Sequence, residues 1–459
     1  MGKLAIGVYD GTPFLRVSRA DRPDVEPRPE ETGAATDDDY DAWAFNSLNM
    51  NAKGYFSQIS AGVFTATYQY LRFAPAANRP RTVFDLMAIN TATGYTYNQH
   101  YCTSSGDRWG VAWSWFMYED NHYLQGSAQN LPNWVHRIMV TNLPMDPADN
   151  FYTEPGTFSS GDRIFDQTET YGFRMAKSGF DARTATGDEL LLGGAPQAMP
   201  IYLSDRLTVA ASTTLTYSLP SYVPANAVVM MQYNKVGEAR HIPSLLQSVI
   251  SSGTRIYEIG WKIDSGTLYL QNHQTSDYEV IFFVTSNLRP SVTPGEIIKE
   301  GTGYLQFCRP DGEVEIDSRW SYAPLIDHGF AELDSTDLGD TTYLPLSVTV
   351  SIPEVGYNPF VLYCHKTTFH PASGDPYTVY MGPRFAHIED QPSYEVSGQL
   401  QDNYSNNCTV TDGSLTFQTH CTSFFATPTT LRSSVGGGYY QSLGFTYYVF
   451  AVPDVLTTS

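Results

Sequence analysis

One alternating stretch occurs three times in this chain, and it limits the fold more than any other feature. Its fullest copy is Tyr171-Gly172-Phe173-Arg174-Met175-Ala176-Lys177, which breaks at Ser178-Gly179 and reaches Asp181. A second copy is Phe14-Leu15-Arg16-Val17-Ser18-Arg19, followed by Asp24, and a third is Tyr304-Leu305-Gln306-Phe307-Cys308-Arg309, followed by Pro310-Asp311-Gly312. Each copy sets two apolar residues two apart: Leu15 and Val17, Phe173 and Met175, Leu305 and Phe307. Each then sets a base two further on, at Arg19, Lys177 and Arg309, before an acidic turn. Period two describes a strand with one buried face, and the Asp/Gly step describes a turn. Repetition at this spacing predicts three related units in tandem.

The units extend beyond that stretch. The middle of the second reads Thr216-Tyr217-Ser218-Leu219-Pro220, a short loop, then Asn226-Ala227-Val228-Val229-Met230-Met231. The third repeats this as Val350-Ser351-Ile352-Pro353, a loop, then Asn358-Pro359-Phe360-Val361-Leu362-Tyr363. All three close on a long apolar run: Trp134 to Pro144, Tyr278 to Pro290 and Phe445 to Pro453. We therefore divide the chain into module one (1–145), a linker (146–168), module two (169–290), a linker (291–300) and module three (301–459). Module three is enlarged between Glu389 and Gly438, and such insertions tend to carry binding surfaces.

Composition agrees with an all-β fold. Aromatic residues make up 14%, with 32 Tyr, while 36 Gly and 28 Pro supply turns and interrupt helices. The one modest helix candidate is Ile242 to Ile250. Regularly spaced short strands with turn signals predict a β-sandwich-like arrangement in each module. The formal net charge of -21 disfavours wrapping nucleic acid, which relies on Lys and Arg at the phosphates, and disfavours an anionic membrane surface. No apolar run approaches the roughly 18 residues needed to span a bilayer. The start, Met1 to Val8, is too short for a signal-peptide core, and Ile6 stands where a myristoylation signal needs Ser or Thr. These readings point to a protein made and kept in a cytoplasm.

The five cysteines, Cys102, Cys308, Cys364, Cys408 and Cys421, are odd in number and irregular in spacing, which predicts reduced thiols. A hairpin turning at Thr411-Asp412-Gly413-Ser414 sets Cys408 opposite position 417, not opposite Cys421. Cys364-His365, His370 and His420-Cys421 are the best metal candidates, but adjacent strand residues point to opposite faces and no zinc spacing is matched. The acidic turn Thr36 to Asp41 offers carboxylates without calcium-loop spacing. Neither cluster reads as a metal site, so no cofactor is expected. No phosphate loop, nucleophile elbow or HExxH motif is present, and nothing singles out a carboxylate pair. We name no catalytic residue and expect no enzyme. Val111, Trp113, Trp115 and Met117 share one face at period two. That stripe reads first as core, with Trp113 and Trp115 as the candidate glycan contact. Tyr439 and Tyr440, just past Gly436-Gly437-Gly438, are the other candidate receptor contact.

The thrice-repeated stretch resembles an N-terminal signature of small structural proteins of tailed bacteriophages, mostly tail-associated. In that family a Gly-Leu-x-Val strand leads through an Asp-Gly-like turn to a segment resembling Thr-Ala-Thr-x-Asp-x-Leu-Leu or Phe-Asp-Ser. Here these are Thr184 to Leu191 and Ile316-Asp317-Ser318, with a fainter echo in Ala35-Thr36-Asp37-Asp38 and Phe45-Asn46-Ser47. The first copy departs most, its turn swollen by Arg22 to Pro29. The resemblance covers about a tenth of the chain. It implies a virion protein at the distal tail (tail tip, baseplate or tail fibre) that serves assembly and host attachment. The implied partners are other tail proteins, further copies of the chain in a trimer, and a glycan or protein receptor on the host surface. A capsid decoration or head-tail joining protein is the first alternative. A glycan-binding or glycan-degrading adsorption protein is the second.

Overall fold

The computed structural model describes residues 2–9, 12–22, 24–28, 42–47, 50–51, 54–59, 69–73, 82–97, 101–105, 108–109, 113–118, 121–126, 134–146, 165–168, 172–176, 179–185, 190–192, 199–242, 259–286, 289–294, 298–301, 304–309, 311–333, 346–353, 358–371, 373–383, 385–388, 404–411, 413–421, 438–453 and 455–456. These are all-β, with no α-helix among them. Of the helix candidate, Ile242 ends a strand and 243–250 lie outside the described residues.

Module one supplies β1 (Leu4–Tyr9), β2 (Thr12–Ser18), β3 (Trp43–Asn46), β4 (Met50–Asn51), β5 (Gly54–Ile59), β6 (Gln69–Phe73), β7 (Thr82–Asn90), β8 (Thr96–Tyr97), β9 (Tyr101–Ser105), β10 (Arg108–Trp109), β11 (Trp113–Tyr118), β12 (Asn121–Gly126) and β13 (Trp134–Pro144). Next come β14 (Phe165–Thr168), β15 (Gly172–Ala176), β16 (Leu190–Leu192), β17 (Pro200–Ile201), β18 (Leu203–Val209), β19 (Thr214–Ser218), β20 (Val228–Lys235), β21 (Arg240–Ile242), β22 (Ile259–Asp264), β23 (Thr267–Asn272) and β24 (Tyr278–Thr285). The rest are β25 (Ile298–Gly301), β26 (Tyr304–Cys308), β27 (Val314–Asp317), β28 (Ser321–Tyr322), β29 (Pro324–Glu332), β30 (Leu346–Ser351), β31 (Asn358–Pro371), β32 (Tyr377–Met381), β33 (Phe385–Ile388), β34 (Tyr404–Thr411), β35 (Ser414–Cys421), β36 (Gly438–Val452) and β37 (Val455–Leu456). The last four residues of the first linker thus form β14, and the second linker ends in the first residues of β25.

The repeated stretch is the middle strand of a three-stranded antiparallel sheet in all three modules: β1-β2-β3, β14-β15-β16 and β25-β26-β27. All three sheets carry a register shift at the same rung, between Val17 and Ser18, Met175 and Ala176, and Phe307 and Cys308. Such a bulge bends the outgoing strand and strengthens its twist. The apolar positions converge on one core. Leu15 and Val17 from the first copy, Met175 from the second, and Leu305 and Phe307 from the third pack with Phe45, Ile316 and Trp320.

The larger sheets repeat as well. In each module a leading strand, the closing strand and the middle strand lie side by side, as β5-β13-β7, β18-β24-β20 and β29-β36-β31. A second trio also recurs, as β6-β12-β11, β19-β23-β22 and β30-β35-β34. In this trio the last two strands join through two-residue connections that close at Tyr118↔Asn121, Asp264↔Thr267 and Thr411↔Ser414. The second of these turns has positive φ at both Ser265 (50°) and Gly266 (77°), the primed turn whose twist suits a hairpin.

Burial explains which strands the sequence made conspicuous. β19 alternates between exposed and half-buried, as an outer strand does, whereas Val228 to Tyr233 of β20 are buried on both faces. Two-sided burial calls for an unbroken apolar run. The same is true of β24 and of the first half of β31. These inner strands fill one core drawn from all three modules, with Val83 and Met87, Val228 to Met231, and Phe360, Leu362 and Cys364 among its members. Phe283 and Phe360 meet edge to face across modules two and three, 5.1 Å between ring centres.

Candidate functional site

The residues singled out for glycan or receptor contact fall on one sheet but apart. Trp113 and Trp115 alternate along β11, beyond the end of its ladder with β32, which stops at Phe116↔Met381. Tyr439 and Tyr440 pair with His370 and Phe369 on β31, at the level of Tyr377 at the opposite end of β32. Three strand spacings of about 4.8 Å each separate β11 from β36 in the plane of the sheet. The side-chain positions of these four aromatics lie outside the described residues, as does the acidic turn Thr36 to Asp41.

Of the metal candidates, Cys364 and His365 point apart, and the side chains of His420 and Cys421 lie outside the described residues. Cys364 faces the three-module core, while its neighbour His365 stacks on Phe445, 4.5 Å away, on the other side of β31. Among the described residues no group of three His, Cys, Asp or Glu could hold a metal ion. Burial pushes the Cys364 and Cys408 thiols up and pushes His365 down to about 3. Cys408 stands opposite Phe417, the register expected from the Asp-Gly turn. Cys308, Cys364 and Cys408 are free thiols. No described helix is long and apolar enough to cross a membrane.

Among the described residues, charged and hydrogen-bonding side chains gather where the repeated sheets meet. Arg19 folds back on Asp21, its Nη2 2.5 Å from Oδ2, and Arg309 reaches Asp311 at 3.5 Å and Glu313 at 3.2 Å. In these two copies the signature base therefore closes its own turn, and Lys177 of the other copy lies outside the described residues; in the first copy the partner is Asp21, while Asp24 faces Arg22 at 3.5 Å. The segments read as echoes of each other, Phe45-Asn46-Ser47 and Ile316-Asp317-Ser318, occupy matching places. Leu15 N donates to Ser47 Oγ and Leu305 N to Ser318 Oγ, both at 2.9 Å. In return Ser47 N donates to Leu15 O at 3.0 Å, and Ser318 N to Leu305 O at 2.9 Å. Gly2 lies so close that an added Cβ would come 2.5 Å from Ser318 Cβ, and Ala20 N donates to Ser318 O at 2.6 Å, joining the first sheet to the third.

A polar and aromatic cluster joins module two to the third sheet. Arg319 is held by Asp317 at 2.5 Å and lies over the rings of Tyr304 (3.8 Å) and Tyr222 (4.3 Å). Trp320 is fully buried, edge-on to Tyr202 with 5.1 Å between ring centres. Arg289 donates to the Glu315 carbonyl and to Tyr322 OH, and Tyr322 OH donates to the same carbonyl. Burial raises Tyr202, Tyr222 and the Glu315 carboxyl. These groups contact one another across the boundary between module two and the third sheet. The members of this cluster are scattered from Tyr202 to Tyr322, so no local sequence pattern marks it. No family model, no curated protein and no solved structure matches this chain.

Proposed function

We propose that this chain is a non-enzymatic structural component of a bacteriophage virion, placed at the distal tail, where it serves assembly and host attachment. The observation that carries the reading is the signature itself. Three copies of a tail-protein-like strand and turn occupy the same place in three sheets and share one core. Paired strands whose turn charges pair locally, as Arg19 with Asp21 and Arg309 with Glu313, suit a part that transmits contacts and does no chemistry. The proposed partners are other tail proteins on one side and a host-surface glycan or protein receptor on the other. The net charge of -21 suits crowding in an assembly and leaves nucleic acid aside.

Immunogold electron microscopy of intact particles, with antibodies to module one and to module three, tests this. Gold at the tail end is the expected result, and the two antibodies give the polarity. Gold on the head would move the protein to decoration or head-tail joining. Free protein that clears host polysaccharide would replace the structural reading with the glycan one.

A further inference from the structure

We infer that the three modules form a closed cycle in which each completes its neighbour's sheet, so that one chain is built as an intramolecular trimer. The evidence is a strand exchange used three times. The short strand after the middle strand pairs with the second trio of another module, while β8 and β32 also stay paired with their own middle strands, β7 and β31. β8 of module one pairs with β22 of module two through Thr96↔Trp261. β21 of module two pairs with β34 of module three, from Arg240↔Val410 to Ile242↔Cys408. β32 of module three pairs with β11 of module one, from Phe116↔Met381 to Tyr118↔Val379. The order one to two, two to three, three to one closes on itself.

Each seam has its own side-chain locks. At the first, Tyr97 OH lies 3.1 Å from His273 Nε2, and Gly260 admits the Tyr97 ring, since an added Cβ would meet it at 2.7 Å. At the second, His241 Nδ1 lies 2.9 Å from Thr409 Oγ1, and Tyr363 OH donates to Ile242 O at 2.7 Å. At the third, Asp146 Oδ2 receives Lys366 Nζ and Tyr380 OH, each at 2.6 Å. There Tyr448 OH also donates to Pro144 O at 2.7 Å.

The third seam joins modules that are not consecutive in the chain and, like the second, where β17 pairs with β28 and β18 with β37, it has further pairings. β33 runs parallel to β9, from Phe385↔Tyr101 to Ile388↔Ser104, and β4 extends the sheet at β29. Added strand pairing gives main-chain hydrogen bonds that hold without a covalent link. A cycle made from one chain can also carry three different outer surfaces at equal positions, which a homotrimer cannot.

The test is made on the full chain, with protease sites inserted after Gly156 and after Gly295 and cut under native conditions. The uncut protein should sediment as a single chain of 51.1 kDa. The cut protein should remain one particle by native mass spectrometry and separate into three pieces only in denaturant. Separation in native buffer, whether the pieces stay folded or not, overturns the proposal. A sedimenting trimer of uncut chains would overturn the single-chain cycle in favour of the homotrimer implied by the family resemblance. Gly260→Leu in the cut protein should lower the urea concentration of separation while module one stays attached through module three. Free module one in native buffer would overturn the closure, and an unchanged urea midpoint would overturn the seam assignment.

Discussion

Ser47 and Ser318 provide a matched pair of perturbations. Each closes the last rung where an outgoing strand leaves the signature strand, accepting from a buried amide through its hydroxyl and donating to the same residue's carbonyl through its backbone. Alanine removes only the hydroxyl acceptor. The amide of Leu15 or Leu305 then stays buried without a partner, a loss of about 1–3 kcal/mol. Ser318 is 0% exposed and Ser47 7%, so Ser318→Ala belongs at the upper end and Ser47→Ala lower, where water can approach. If the whole cycle melts as one unit of 459 residues, its unfolding entropy is roughly 1 kcal/mol/K, and the expected fall in Tm is only about 1–3 °C. Calorimetry together with urea unfolding measures both quantities. A loss below about 0.5 kcal/mol at Ser318 would refute the hydrogen-bond reasoning. A Tm fall several times larger than 3 °C at the same free-energy loss would show instead that a unit much smaller than the chain melts.

Three further outcomes are expected. Burial holds His365 down to about 3 from the ordinary histidine value of about 6.5, so between those values the unfolded chain binds a proton that the native chain does not. Stability should therefore fall as pH drops from about 6.5 toward 3, by at most about 1.4 kcal/mol per pH unit from this group, and His365→Leu should flatten that slope in urea titrations. Gly266→Ala should cost about 1 kcal/mol by chemical denaturation, because φ is +77° and nothing lies within 4 Å of the added Cβ, leaving backbone strain as the whole cost. Cys308, Cys364 and Cys408 should resist a thiol reagent in native buffer and react on unfolding, with mass mapping showing which are modified. Rapid native labelling of Cys364 would contradict its burial at 0%.

What the sequence made legible follows from how local each signal is. Alternation located β2, β15 and β26, because one face of each meets the shared core and a strand's period of two puts that face on every second residue. The closing runs were visible for the opposite reason: β24 and β36 are buried on both faces and need apolar residues throughout their inner lengths. The Asp-Gly turn fixed the register of Cys408 against Phe417, since a two-residue hairpin leaves no freedom to slip. Pairings that depend on a distant partner were not legible. Thr216 to Pro220 and Asn226 to Met231 read as a neighbouring pair, yet β19 pairs with β23 and β20 with β24, in different sheets. The glycan candidates were chosen by a shared strand face at Trp113 and Trp115 and by the glycine run before Tyr439 and Tyr440, and neither signal tells which end of a sheet a Trp or Tyr occupies.

The exchange strands were the hardest to read, and the reason bears on how the molecule holds together. β8 has two residues and β21 three, too short for any periodicity to register. Each is specified by what receives it: an open edge on another module, a glycine such as Gly260 that makes room, and a hydrogen-bond partner such as His273 for a buried hydroxyl. The unexpected placement of Asp146 follows the same logic. In sequence it begins a Pro- and Asp-rich linker, yet its carboxylate receives both Lys366 and Tyr380 from module three. Removing that one carboxylate leaves a partly buried ammonium and a phenol without their shared acceptor, so Asp146→Ala should weaken the third seam selectively. In the cut protein, this change combined with Gly260→Leu should lower the urea midpoint for release of module one by more than the two single changes added together. That non-additivity is what separates a cycle from a row, because in a row a single broken seam suffices.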